Sequence, residues 1–218
     1  MFAKDLLVGA KNGKKIGIRL NIAVKDVEMR NPANVILVLL LIGISVLFLS
    51  LSFSLVYTRV QNNLPAIELP FIFYLNTLIL IGSSYTLILA KKSYLNDNTQ
   101  KYLSSLIGTL VLSFIFLGAQ FKGWNILFEK NIFIQSDHSA SYLYVISGLH
   151  FAHVIGGIPF LVAFIITAIK RMKEPVSVLV YFSDPEKRLK LKLLSWYWHY
   201  LDALWIYLVL FFMINYFI

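Results

Sequence analysis

Five long apolar stretches, none holding a lysine or an arginine, run along this chain at residues 34–57, 70–90, 102–121, 141–169 and 197–217. A helix needs about 20 such residues to cross about 30 Å of hydrocarbon. A buried strand is the other home for an apolar run, but strands rarely exceed about 10 residues. Lipid offers the backbone no hydrogen bonds, so a crossing segment satisfies its own amides most simply as a helix. Turn-forming residues bound the runs: Asn31-Pro32 before the first, Pro65 and Pro70 before the second, Asn96-Asp97-Asn98 before the third. The expected fold is an all-α polytopic membrane protein with five transmembrane helices in a bundle. Two parts are expected: a basic segment over 1–33 and the helical domain over 34–218.

Composition excludes the soluble alternatives. Of 218 residues, 58% are hydrophobic and 14% charged, against about 45–50% and about 25% in ordinary soluble domains. No cysteine is present, which removes disulfides, thiolate metal sites, iron–sulfur clusters and thiol nucleophiles.

A net charge of +9 would suit a nucleic-acid surface if it were gathered on one groove. It is not. Seven Lys and Arg lie in 1–33, three in 91–101 and seven in 170–196, whereas 58–69 holds one and 122–140 holds two. Basic residues concentrated in alternate connections are the positive-inside pattern, and no nucleic-acid partner is expected. The N-terminus is therefore expected in the cytoplasm and the C-terminus in the periplasm. The first 15 residues carry Lys4, Lys11, Lys14 and Lys15 without an adequate apolar core, so the expectation is no cleavable signal. Residues 1–33 suit either a helix along the interface or a loose basic tail near anionic lipid.

Ahead of the last run, Asp184-Pro185-Glu186 combines a capping residue, a proline suited to the first helical position and an early acid. The last helix is expected to start there and to reach about 50 Å at about 1.5 Å per residue. Its first turns, with Lys187, Arg188, Lys190 and Lys192, would protrude from the hydrocarbon. With Trp196 and Trp198 behind them, these residues are expected at the lipid headgroups.

Polar side chains inside the spans are costly and mark contacts or function. Asp202 is the one acid within the five runs, and His150, His153 and His199 are three of the four histidines. His150 and His153 share a helix face, as do His199 and Asp202. Three readings stay open: a metal site, a proton path, and hydrogen bonds between the fourth and fifth spans. The third is favoured, because a metal site would want more second-shell acceptors than one carboxylate. Two histidines on one face also leave no room for a haem. Gly148, Gly156 and Gly157 are expected to let a neighbouring helix approach. No phosphate loop, catalytic triad or paired carboxylates appear.

Two segments carry a family resemblance. Ser147-Gly148-Leu149-His150-Phe151-Ala152-His153-Val154-Ile155-Gly156-Gly157 resembles the T-G-x-H-x-x-H-V-x-x-G segment of subunit III of haem–copper oxidases. Trp196-Tyr197-Trp198-His199-Tyr200-Leu201-Asp202-Ala203-Leu204-Trp205 resembles that family's Y-W-H-F-V-D-x-x-W signature. Pro70 with Leu75-Asn76-Thr77 and Ser83-Ser84, and the stretch from Thr109 to Gln120, are similar to two further family helices. The resemblance covers about 70–218.

It implies a noncatalytic subunit of a terminal oxidase in a bacterial inner membrane. Such a chain binds no haem or copper itself, holds structural phospholipids, and packs beside subunit I with subunit II nearby. It supports sustained turnover and oxygen access through lipid, and a larger respiratory supercomplex is a further setting. The resemblance fits the short five-helix form. Cytochrome c is the expected donor; a quinol oxidase, or an accessory role to nitric oxide reductase, stays open beside it. Two departures stand out. Ser45 to Ser54 holds no acid where the family carries a glutamate, and Gly123-Trp124 replaces the Glu-Tyr of the family's Q-x-x-E-Y.

Overall fold

The computed structural model describes residues 32–65, 67–172 and 174–217, and every regular element among them is helical. The elements are α1 (Pro32–Asn62), α2 (Phe71–Leu95), α3 (Thr99–Glu129), α4 (His138–Arg171), α5 (Pro175–Ser183) and α6 (Pro185–Phe217). α1, α2, α3, α4 and α6 are the five long and apolar enough to cross a membrane. Nearly all of the expected 1–33 segment lies outside the described residues.

The helices overshoot the apolar runs because capping chemistry, not hydropathy, ends them. α1, α2 and α3 each stop at an Asn or Asp with positive φ: Asn63 at 49°, Asp97 at 53° and Asn131 at 59°. Short polar side chains tolerate this left-handed conformation better than others do. Just beyond, the amides of Leu64, Asn98 and Ile132 donate to carbonyls five residues back, on Arg59, Ser93 and Leu127, at 2.9–3.1 Å. That is the six-to-one bond of a Schellman stop. At the other ends, Asn98 Oδ1 accepts from the Lys101 amide at 3.0 Å, and Asp137 Oδ1 from the Ala140 amide at 2.6 Å.

α6 starts at Pro185 and runs 33 residues, as expected. Asp184 Oδ1 takes the Glu186 amide at 2.9 Å. α5 is an addition to the expected pattern: the nine residues Pro175–Ser183 form a helix inside what reads as a connection.

A boundary after Ile44 divides the chain into two units. The first is helical over 32–44. In the second, α2, α3, α4 and α6 form a ring in which α2 packs on α3 and α6, and α4 packs on α3 and α6. From Ser45 onward α1 meets that ring through side-chain hydroxyls. Ser45 pairs with Tyr200 at 2.8 Å and Ser54 with Tyr142 at 2.6 Å. Arg59 bonds the carbonyl of Asn215 near the end of α6.

Candidate functional site

Some of the polar residues singled out in the sequence meet at the seam between α2 and its neighbours. Two consecutive serines of α2 receive two consecutive residues of α6. Trp198 Nε1 donates to Ser83 Oγ at 3.1 Å, and Ser84 Oγ bonds His199 Nδ1 at 2.6 Å. One turn further along α6, the buried Asp202 faces the same Ser84 hydroxyl. Ser84 thus joins His199 and Asp202, which share a face at a spacing of three. Toward α3, Asn76 Nδ2 donates to Gln120 Oε1 at 3.0 Å, and the hydroxyls of Thr86 and Thr109 lie 2.8 Å apart. Thr77 turns back to its own helix, donating to the Phe73 carbonyl.

The two histidines of α4 part company. His150 is fully buried, with its ring 5.0 Å from that of Trp205 and 5.8 Å from that of Phe116. Phe116 packs edge-on to Trp205, and Phe73 stacks on Trp205 from α2. Neither ring nitrogen of His150 has a hydrogen-bond partner among the described residues. Aromatic packing holds this ring. His153, half-buried, bonds the Leu149 carbonyl of its own helix at 2.7 Å and lies beside Phe48 of α1. The Tyr197 hydroxyl donates to the His153 carbonyl at 2.8 Å, tying α6 to α4 through backbone. His150, His153, His199 and Asp202 therefore occupy three separate environments. Among the described residues, no three His, Asp or Glu side chains gather as a metal-holding group.

Two expectations need correction. Trp198, expected at the headgroups with Trp196, is 2% exposed and lies in the core cluster with Leu161, Ile165 and Leu194. Residues two apart on a helix differ by about 200°, so Trp196 and Trp198 cannot face the same solvent. Trp196 keeps the outward position, with Lys192 Nζ 5.2 Å over its ring, a cation–π distance. Lys190 pairs with Glu186 at 2.5 Å, and Lys187 and Arg188 belong to the same opening turns. The second correction concerns glycine. Around Gly148 and Gly156 there is open space where a Cβ would stand, whereas at Gly157 a Cβ would meet Trp198 and Tyr197 ring carbons at 2.9 Å. Of these three glycines, Gly157 is the one that a neighbouring helix approaches closely among the described residues.

Further contacts involve Gly123 and Trp124, read in the sequence only as departures, and tyrosines that the sequence did not single out. Gly123 stands where a Cβ would meet Phe73 at 2.8 Å and Ile72 at 2.9 Å. Trp124 Nε1 donates to Ser147 Oγ at 3.1 Å. At the basic end, Tyr94 Oη donates to the Tyr181 carbonyl at 3.0 Å, and Tyr102 packs against Tyr94, Tyr181 and Phe182. Tyrosines next to span ends were the available signal, since a buried hydroxyl has to find a partner.

Comparison with known proteins gives a family for the chain. The family described as Cytochrome c oxidase subunit III matches residues 35–217. Curated relatives include the cytochrome c oxidase subunit 3 of Papio hamadryas, 29% identical over 134 residues, covering 62% of this chain and 46% of the relative. The Struthio camelus protein of the same name is 28% identical over 147 residues, covering 67% of this chain and 50% of its own. That of Pelomedusa subrufa is 28% identical over 136 residues, covering 62% and 47%. The chain spans about half the length of these relatives.

Proposed function

The chain belongs to the cytochrome c oxidase subunit III family, and from that premise we propose that it serves as the noncatalytic third subunit of a bacterial haem–copper terminal oxidase. In this reading it lies in the inner membrane against subunit I, with subunit II nearby. Those partners carry the haem and copper. The chain itself contributes stability, bound phospholipid and a lipid route for oxygen, in a complex that oxidises cytochrome c and reduces oxygen to water.

One observation carries the reading: several motif residues join one helix of the chain to another. Asn76 and Gln120, Ser83 and Trp198, Ser84 and His199, and the rings of Phe73, Phe116, His150 and Trp205 all join helices within the chain. Polar groups that join helices hold a membrane bundle together, which is what a scaffolding subunit needs from its most specific residues. The departures fit the same role. Where the family carries a glutamate, Gly123 lets Phe73 and Ile72 close in, and Trp124 finds Ser147. The seam is thus packed at the position where the family's glutamate is replaced.

The test is a gentle-detergent pull-down of the tagged chain from its native membrane, read by mass spectrometry and visible absorption. Co-purification with a subunit bearing haem and copper is expected, and the haem spectrum then separates a cytochrome c oxidase from a quinol oxidase. A haem-free preparation, or one carrying nitric oxide reductase, would overturn the oxidase reading.

A further inference from the structure

The connection between α4 and α6 carries a helix with no charged residue at all: α5 reads PVSVLVYFS. Its inward face is accounted for. Tyr181 and Phe182 are buried in the aromatic cluster with Tyr94 and Tyr102, and Val178 packs against it. The opposite face presents Leu179, 64% exposed, and Val180, 65% exposed. Neighbouring aliphatic residues at such exposure on a short helix need a reason.

The position of α5 supplies one. Tyr94 follows Lys91 and Lys92 at the end of α2, and Tyr102 follows Lys101 at the start of α3. Basic residues at span ends stand at headgroup level. Tyr94 Oη donates to the Tyr181 carbonyl at 3.0 Å, and the Tyr102 and Tyr181 hydroxyls lie 3.4 Å apart. These bonds hold α5 at the depth of the lysines and not out in water. Burial raises the Tyr181 hydroxyl above its ordinary pKa, so the contact persists uncharged. Lys170 and Arg171 immediately precede α5, and Lys187 and Arg188 follow it. A groove of about 470 Å³ beside Val180 is rimmed by Lys170, Arg171, Glu174 and Asp184. The groove rim carries both signs, but 170–196 as a whole holds seven bases against three acids, and an apolar tip flanked by net basic sequence is the composition of a segment lying in a lipid interface.

We propose that α5 is a membrane-surface anchor whose outward residues, Leu179 and Val180, insert at the boundary between headgroups and acyl chains of the leaflet at the basic end. Its occupant is anionic bilayer lipid. α5 thereby fixes the depth of the α4–α6 connection and the angle at which α6 enters. This holds whichever complex the chain joins.

Because the chain has no cysteine, an introduced thiol is the one labelled site within it, and the unsubstituted complex treated with the same reagent supplies the background from partner subunits. Leu179→Cys, Val180→Cys and, as a water-facing reference at the same end, Glu186→Cys would each carry a nitroxide. The labelled complex, purified from its native membrane, is reconstituted into nanodiscs of phosphatidylcholine and phosphatidylglycerol. Labels at 179 and 180 are expected to collide freely with oxygen while collisions with a water-soluble nickel chelate fall severalfold below those at 186. Nickel accessibility equal to that at 186 would place the face in water and overturn the proposal. Shielding from both oxygen and nickel would mean that a protein covers α5, and would overturn it equally.

Discussion

Gly157 has no room for a methyl group. Its virtual Cβ lies 2.9 Å from ring carbons of both Trp198 and Tyr197. Neither ring is free to yield, since Trp198 is anchored on Ser83 and Tyr197 on the His153 carbonyl. Gly157→Ala is therefore expected to destabilise the α4–α6 contact by about 1–3 kcal/mol, the usual cost of overpacking. Gly156→Ala, one residue away and facing open space, should leave stability unchanged. Heating the purified complex and following retention of this chain measures both; equal behaviour of the two variants would refute the packing argument. Asp202 makes a different case. It is 6% exposed, its Oδ2 has no hydrogen-bond partner among the described residues, and its neighbour Ser84 is engaged by His199. Asp202→Asn keeps the shape and changes the bonding, so less of the chain should be retained with the complex while turnover per assembled complex stays near normal. Lost turnover with assembly intact would mean that the carboxyl acts in chemistry. At this scale the sequence could single out polar residues in the spans but not what they touch. Spacing placed His150 with His153 on one face, but residues three apart still diverge by about 60°. That divergence sends one ring to Trp205 and the other to Phe48.

The elements were legible where one term dominates. Twenty apolar residues admit few outcomes in lipid, so all five spans could be read from run length. Their ends could not, because Asn63, Asp97 and Asn131 stop the first three helices through backbone conformation well past the apolar run. The start of α6 was legible because its signal is local: Asp184, Pro185 and Glu186 form the cap within three residues. α5 was not, since nine residues without a charged partner show no amphipathic period, and its helicity rests on the aromatic cluster beneath it. The opening turns of α6 carry an expectation of their own. Lys190 is paired with Glu186 and Lys192 leans over Trp196, which leaves Lys187 and Arg188 without ion pairs among the described residues. Juxtamembrane basic residues attract anionic lipid by about 1 kcal/mol each. Replacing Lys187, Arg188, Lys190 and Lys192 by glutamine should loosen bound anionic lipid, with the larger part of the loss reproduced by changing Lys187 and Arg188 alone. Native mass spectrometry of the complex reads this directly, and an unchanged lipid complement would count against a headgroup role.

At the scale of the whole molecule, the two ends of the spans differ in charge in a way that predicts orientation. The connections 91–101 and 170–196 hold ten basic residues, whereas 58–69 and 122–140 hold three. At the sparse end, part of that charge is offset: Lys130 pairs with Glu68 at 3.8 Å, and Asp137 is occupied in capping α4. Arg59 is turned onto the Asn215 carbonyl, so it serves the helix ends and contributes little to an exposed field. At the basic end the described residues hold one ion pair, Lys190 with Glu186, and the acids Asp97, Glu174, Asp184 and Glu186 stand against ten bases. Short loops rich in Lys and Arg are retained in the cytoplasm during insertion, so the connections at Asp97 and Asp184 should be cytoplasmic and those at Asn63 and Asn131 periplasmic. With five crossings, a reporter joined after Ile218 should then read as periplasmic: active alkaline phosphatase and dark green fluorescent protein. Replacing Lys91, Lys92 and Lys101 by neutral residues should weaken the bias without inverting it, because 170–196 still carries seven bases. Fluorescence from the reporter on the unaltered chain would overturn the orientation. It would leave the ring of α2, α3, α4 and α6 untouched, since that ring rests on side-chain contacts that are indifferent to which side of the membrane they were threaded from.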